Sequence, residues 1–210
     1  MAQKFSHKSL KVMVAGVSGT GKTTFFEGLV RAEKARRKFF FDHQGEFSDR
    51  FGLTPIFQAD ELLEATAKGG TICYDPIKEM PGKSPEAFAF FCDYIFEESK
   101  MRGGRKILVC DELQMLCEPS VIPESLLKVL DTGRRLELDC FFITNALNGI
   151  HTRVRNQLTR VYAFRIIEDN SLKYLEKNGF DSEKIRNLKN GEYVWRDFNS
   201  GETGQGGKAF

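Results

Sequence analysis

The sequence predicts an α/β protein built on a mainly parallel sheet with helices covering both faces. Three observations carry that prediction. Several short segments, KVMVA (11–15), KILVC (106–110) and CFFI (140–143) among them, are nearly all apolar without alternating, as strands buried on both faces are. Segments of helical length alternate with them along the chain, as βαβ units require. No internal repeat and no composition break divides the 210 residues, a length able to bury a full core.

The elements follow in order. Residues 1–9 are polar and expected to be a flexible segment ahead of a single domain over 10–198. LKVMVA (10–15) is a buried strand, and TTFFEGLVRAEKARR (23–37) has helical length and composition. KFFFDHQGEF (38–47) is a short aromatic strand ending in an acidic turn broken by glycine. ADELLEATAKGG (59–70) is a helix closed by glycine, followed by the strand TICYD (71–75), which Pro76 stops. SPEAFAFFCDYIFEESKMRGG (84–104) starts on a serine cap with proline at the first helical position and ends on two glycines. KILVCDE (106–112) is a buried strand with two acids at its exit. PESLLKVLDTGRR (123–135) is a helix, and CFFITN (140–145) an apolar strand that surfaces in Asn145. RVYAFRI (160–166) is a strand, NSLKYLEKNG (170–179) and 182–188 are helices, and EYVWRDF (192–198) is a closing strand. The tail NSGETGQGGKAF (199–210) is glycine-rich and expected to be flexible.

Composition narrows the class. A hydrophobic content of 41% with 29% charged residues is that of a globular protein, and the longest apolar runs are too short to span a bilayer. No signal-peptide pattern opens the chain. Five cysteines, with no C-x-x-C pair and mostly apolar neighbours, read as small core residues in a reducing compartment. The net charge of +2 excludes little, but basic residues cluster in KARRK (34–38), RGGRK (102–106), GRR (133–135) and RVRNQLTR (153–160). Such clusters mark a nucleic-acid surface or simply solvated faces.

The chemistry concentrates in two motifs. Gly16-Val17-Ser18-Gly19-Thr20-Gly21-Lys22-Thr23-Thr24 fits G-x-x-x-x-G-K-[ST] between a strand and a helix, the context of a phosphate cradle. Glycines let backbone N–H groups turn onto phosphate oxygens, and the helix N-terminus adds its positive end. Lys22 would reach the β- and γ-phosphates of ATP, and the Thr23 hydroxyl would hold Mg²⁺. The second motif is Asp111-Glu112 at the exit of a buried strand: Asp111 would hold the metal through its water shell, and Glu112 would polarise the attacking water. A glutamate in that place speaks for hydrolysis over phosphoryl transfer, and no guanine-reading N-K-x-D is present. Asn145, at the end of the next apolar strand, is the candidate sensor of the γ-phosphate or lytic water.

These residues resemble a family. FFFDHQGEF (39–47) is similar to the second-strand signature of the HerA/FtsK superfamily of DNA-pumping ATPases. DTGRRLELDCFFITN (131–145) resembles its Gly-Arg helix end running into the sensor strand, and RVYAFRI and LKNGEYVWRD (188–197) its closing strands. In length the chain looks like the genome-packaging ATPases of membrane-containing icosahedral double-stranded DNA viruses. The resemblance implies a RecA-like P-loop core and a homo-oligomeric ring that hydrolyses ATP at subunit boundaries. It also implies translocation of double-stranded DNA into a preformed capsid, docking on a capsid vertex or membrane component, and a place in the virion or the infected cell's cytoplasm. It sets Arg134, ahead of Arg135, as an arginine supplied in trans. One departure stands out: the family has Gln then Arg-Pro after the sensor strand, and this chain has Asn145-Ala146-Leu147.

Asp42, His43 and Glu46 could shape the site or a subunit boundary without being catalytic, and a lone histidine in a turn reads as polar surface. Arg153 and Arg155, after the sensor strand, are expected to face a DNA channel. The alternatives are a filamentous-phage-type assembly ATPase, a cellular partition or transfer ATPase (cytoplasmic in that case) and, from another class, a nucleotide switch or small-molecule kinase.

Overall fold

The computed structural model describes residues 8–207. Nine strands and eight α-helices are described: β1 (Lys11–Ala15), α1 (Lys22–Ala32), β2 (Arg37–Phe41), α2 (Glu46–Phe51), β3 (Pro55–Ile56) and α3 (Glu61–Lys68) come first. They are followed by β4 (Gly70–Tyr74), α4 (Ser84–Met101), β5 (Lys106–Cys110), α5 (Glu124–Leu136), β6 (Leu138–Thr144) and α6 (Thr152–Arg155). The chain closes with β7 (Arg160–Ala163), α7 (Asp169–Lys177), α8 (Ser182–Arg186), β8 (Tyr193–Asp197) and β9 (Thr203–Gly206). The strands form a nine-stranded sheet in the order β3-β4-β2-β5-β6-β1-β7-β8-β9. The mainly parallel sheet that the sequence predicts is what forms.

The chain divides into two compact units. The first holds residues 33–111 and 122–141 together with the segment leading into β1. In it β2 pairs in parallel with both β4 and β5, and β3 with β4. Every residue of β5 is buried, and Phe39, Phe41 and Tyr74 meet Phe91 of α4 ring to ring. Aromatic rings at alternate positions of β2 thus give this unit its core. Arg37 is buried as well, its guanidinium 2.5 Å from Glu98 and donating to the Thr66 carbonyl at 3.0 Å. A buried charge needs such partners to be tolerated.

The second unit holds residues 11–32, 112–121 and 142–207. Here β1 pairs in parallel with β7, and β8 and β9 add on antiparallel. The glycine-rich tail is therefore not loose over 203–206, where it is β9. The reason is close approach: a Cβ on Gly204 would lie 2.5 Å from the Trp195 ring and one on Gly206 2.4 Å from that of Tyr193. Those glycines let a strand lie flat on two aromatic rings. Ser9, expected to be loose, is buried and donates to the Leu138 carbonyl at 2.8 Å; residues 1–7 and 208–210 lie outside the described residues. All five cysteines are buried and none forms a disulfide among the described residues, as a reading of small core residues expects.

The helix expected over 123–135 is α5, and Gly133 lies inside it, buried, where a Cβ would come within 2.6 Å of the Leu138 carbonyl oxygen. Similarly, Ser84 lies inside α4, and Lys83 takes the cap position.

Candidate nucleotide site

β1 feeds the glycine loop with four of its five residues buried. Gly19 and Gly21 have φ of 77° and 86°, a left-handed conformation that side chains avoid, and they turn the loop onto α1. Thr20 Oγ1 donates to the Val17 carbonyl at 2.8 Å, and the Gly191 N–H donates to the Thr20 carbonyl at 2.9 Å. At the entrance the Gly16 N–H donates to the Thr144 carbonyl at 3.2 Å, and that of Val17 to the Arg165 carbonyl at 2.9 Å. Lys22 is the first residue of α1 and is buried, Thr23 is half-buried, and Ser18 and Thr24 are exposed. The loop is thus held by its carbonyls and hydroxyls at a helix N-terminus, whose N–H groups favour anions.

In the same unit, Glu112 follows β5 in a left-handed conformation, φ 46° and ψ 46°. For a side-chain-bearing residue this costs about 1–2 kcal/mol. Bonds hold it there. Asn145 Nδ2 donates to one carboxylate oxygen of Glu112, and Gln114 Nε2 donates to the other. Thr144 Oγ1 donates to Gln114 Oε1 at 2.6 Å, which turns the amide so that its NH₂ group faces Glu112. Because the Thr144 carbonyl also takes the Gly16 N–H, a continuous path runs from the loop entrance through the end of β6 and Gln114 to the carboxylate. Asn145 Oδ1 is buried with no hydrogen-bond partner among the described residues, an acceptor left open beside the carboxylate it helps to hold.

Gln114 was not legible as a site residue. Its signal was present, a polar residue two positions after Glu112 facing a threonine at the end of the apolar run CFFI (140–143), but only folding brings the two side chains together. It also bears on the departure after the sensor strand: an amide other than Asn145 does approach from that side, supplied by the segment after Glu112.

The remaining expectations divide. Asp111, in the first unit, directly follows β5 at 9% exposure. His43 is not polar surface: it is buried, stacked on Phe41, and its Nε2 donates to the Asp111 carbonyl at 3.2 Å. Asp42 is buried and accepts the N–H groups of Phe47 and Ser48 at 3.0 and 2.8 Å, so it starts α2. Glu46 is exposed, 3.6 Å from Arg50.

Of the basic clusters, KARRK and RGGRK are partly internal. Arg37 pairs with Glu98, Arg105 pairs with Asp139 and Glu33 at 2.7 Å each, and Lys106 Nζ caps the carbonyl of Gly104 at 2.9 Å. Arg134 and Arg135 are exposed in the last turn of α5. Arg153 is exposed, but Arg155 lies over the Tyr174 ring at 4.8 Å, and Arg160 pairs with Asp197 at 2.7 Å.

Among the described residues no cluster of three or more His, Cys, Asp or Glu could hold a metal by itself, and no helix is long and apolar enough to cross a membrane. Mg²⁺ asks for less: one or two hard oxygen donors, with phosphates and waters completing the shell. A threonine hydroxyl and an aspartate carboxylate are donors of that kind.

No protein-family model matches the sequence, and no characterised protein matches it by sequence. Solved structures do match by fold. The genome-packaging NTPase B204 from Sulfolobus turreted icosahedral virus 2, in complex with AMPPCP, superposes with a TM-score of 0.74 at 19% identity, over 96% of this chain and 98% of that one. B204 of Sulfolobus turreted icosahedral virus, a DNA-packaging ATPase, gives a TM-score of 0.72 at 19% identity over 95% and 97%. VirB4 of Thermoanaerobacter pseudethanolicus gives 0.68 at 11% identity over 95% and 89%. With the glycine loop between β1 and α1 and the mainly parallel sheet, these matches show that the chain has the RecA-like fold of the P-loop NTPases.

Proposed function

We propose that the chain is a Mg²⁺-dependent ATPase that drives double-stranded DNA, as a ring, into a viral capsid. The observation that carries the hydrolytic half is the Glu112 carboxylate, held on both oxygens by amides and linked through Thr144 to the glycine loop. Backbone N–H groups of residues 18–23 and the Lys22 ammonium bind the phosphates. Thr23 and Asp111 are the residues that would hold Mg²⁺, which when bound neutralises charge on the phosphate oxygens. Glu112 takes a proton from the attacking water, and the open Asn145 Oδ1 accepts the water's other hydrogen. Orientation by both groups lowers the entropy cost of attack.

The fold likeness to B204, a genome-packaging NTPase, supports the DNA-driving half. So does the exposure of Arg134 and Arg135, which suits an arginine presented to a neighbouring subunit's phosphates. Docking on a capsid vertex or a membrane component, in the virion or the infected cell's cytoplasm, belongs to the same reading.

The test is phosphate release by the purified chain with Mg²⁺ and ATP, with and without linear double-stranded DNA. Stimulation by DNA of any sequence is expected. Glu112→Gln should keep ATP binding and lower turnover by about 10²–10⁴-fold, the weight of a general base. Turnover that requires a small phosphate acceptor would replace the motor with a kinase.

A further inference from the structure

A cavity of about 310 Å³ opens beside the glycine loop, within the second unit. Its floor is Gly21, just before α1, and one face of that helix: Thr24, Phe25, Gly28 and Leu29 stand at the i, i+1, i+4, i+5 spacing that puts residues on one stripe of a helix. The stripe begins at the end of the phosphate cradle and runs about 10 Å along the helix axis. Phe164 and Tyr193 wall it. The Phe25 and Tyr193 ring centroids are 4.4 Å apart, and those of Phe164 and Tyr193 5.3 Å. Phe25 and Tyr193 are only half-buried, so ring surface remains exposed toward the cavity. Gly207, directly after β9, closes one side.

Two features separate this cavity from an ordinary gap in packing. Gly28 is a mid-helix glycine with ordinary φ and no heavy atom within 4 Å of where its Cβ would be. No turn or close approach requires it, and alanine would make a better helix. What the glycine does is leave the cavity unfilled. The lining is also short of polar side chains, since only Thr24 and Tyr193 carry hydroxyls.

We infer that this cavity seats the base of the nucleotide and holds it by stacking on aromatic rings, with the C-terminal hairpin β8–β9 as its wall. The inference rests on the nucleotide reading of the glycine loop. Stacking reads no base edge, because every base has a π-face. The site therefore distinguishes adenine from guanine poorly, and GTP should bind within about tenfold of ATP.

The test compares two ligands that share phosphates and differ in the base: AMPPNP and inorganic tripolyphosphate, each with Mg²⁺, by calorimetry. Gly28→Met extends a long side chain into the cavity from a position with no heavy atom within 4 Å of its Cβ, and its unfolding midpoint checks that the variant is folded. Gly28→Met and Tyr193→Ala should each weaken AMPPNP by about tenfold or more, the order of a lost stacking partner, and leave tripolyphosphate within about twofold. A folded Gly28→Met that binds AMPPNP normally overturns the inference, as does a GTP affinity more than about a hundredfold below that of ATP. If the wild type binds neither ligand, the nucleotide reading falls and takes the inference with it. If it binds both equally and no variant changes either, only the base site falls.

Discussion

Glu112 keeps a strained backbone because its carboxylate is pulled from two sides, and each pull can be removed separately. Gln114 is the informative one, since it is tied to Thr144 as well as to Glu112. Gln114→Met preserves length and approximate volume while removing both donor and acceptor. One hydrogen bond to a charged group contributes about 1.5–3 kcal/mol, so positioning of Glu112 should suffer by a comparable amount. We expect kcat to fall about tenfold or more with AMPPNP affinity unchanged. A mutant with wild-type kcat would show that Gln114 only fills space.

At the scale of elements, two joints can be probed. Gly133 lets α5 approach the start of β6, with 2.6 Å between a virtual Cβ and the Leu138 carbonyl. Gly133→Ala gains helix propensity of up to about 1 kcal/mol, but the added methyl meets backbone that cannot rotate away. The net should be a loss of about 1–3 kcal/mol in denaturant unfolding, the range for overpacking. An unchanged or raised midpoint would mean that the approach is looser than the structure has it.

The second joint is the β8–β9 hairpin. Burial opposes ionisation of Asp197, but the N–H groups of Ser200 and Asn199 and the Arg160 guanidinium outweigh it and hold its carboxyl below the usual carboxylate range. A carboxyl depressed in the folded state stabilises fully above its unfolded value, about 3.9, and loses that contribution as pH falls through its lower folded value. Asp197→Asn should therefore cost about 2 kcal/mol near neutrality, in line with charged hydrogen bonds. The gap in unfolding midpoint between wild type and mutant should narrow below about pH 4. A gap that stayed constant into acid would show that the carboxylate charge is not what matters.

For the whole molecule the question is whether one subunit fires another. Arg134 stands exposed at the end of α5, and an arginine supplied in trans can contribute about 10³-fold or more to turnover. Arg134→Ala should bind ATP normally and hydrolyse it poorly. Mixed in equal amounts with Glu112→Gln, some boundaries would pair an intact Glu112 with an intact Arg134, and partial activity should return. A co-assembled mixture as inactive as either mutant would remove Arg134 from that role.

What the sequence determined by itself was whatever is local. The glycine loop, the strand before it and the helix after it lie within 22 consecutive residues, and spacing alone set their conformations. The buried strands were legible from uninterrupted apolar runs, because a strand covered on both faces cannot alternate. Tertiary structure decided what depends on residues distant in sequence. Gln114 and Thr144 are 30 positions apart, and His43 and the Asp111 carbonyl 68, so neither pair has a local signature. The tail misled for the same reason: four glycines and a serine read as loose until the rings of Trp195 and Tyr193 are beneath Gly204 and Gly206, and then the lack of side chains is what allows the strand to form. Composition records what a residue can do; its distant neighbours decide which of those things it does.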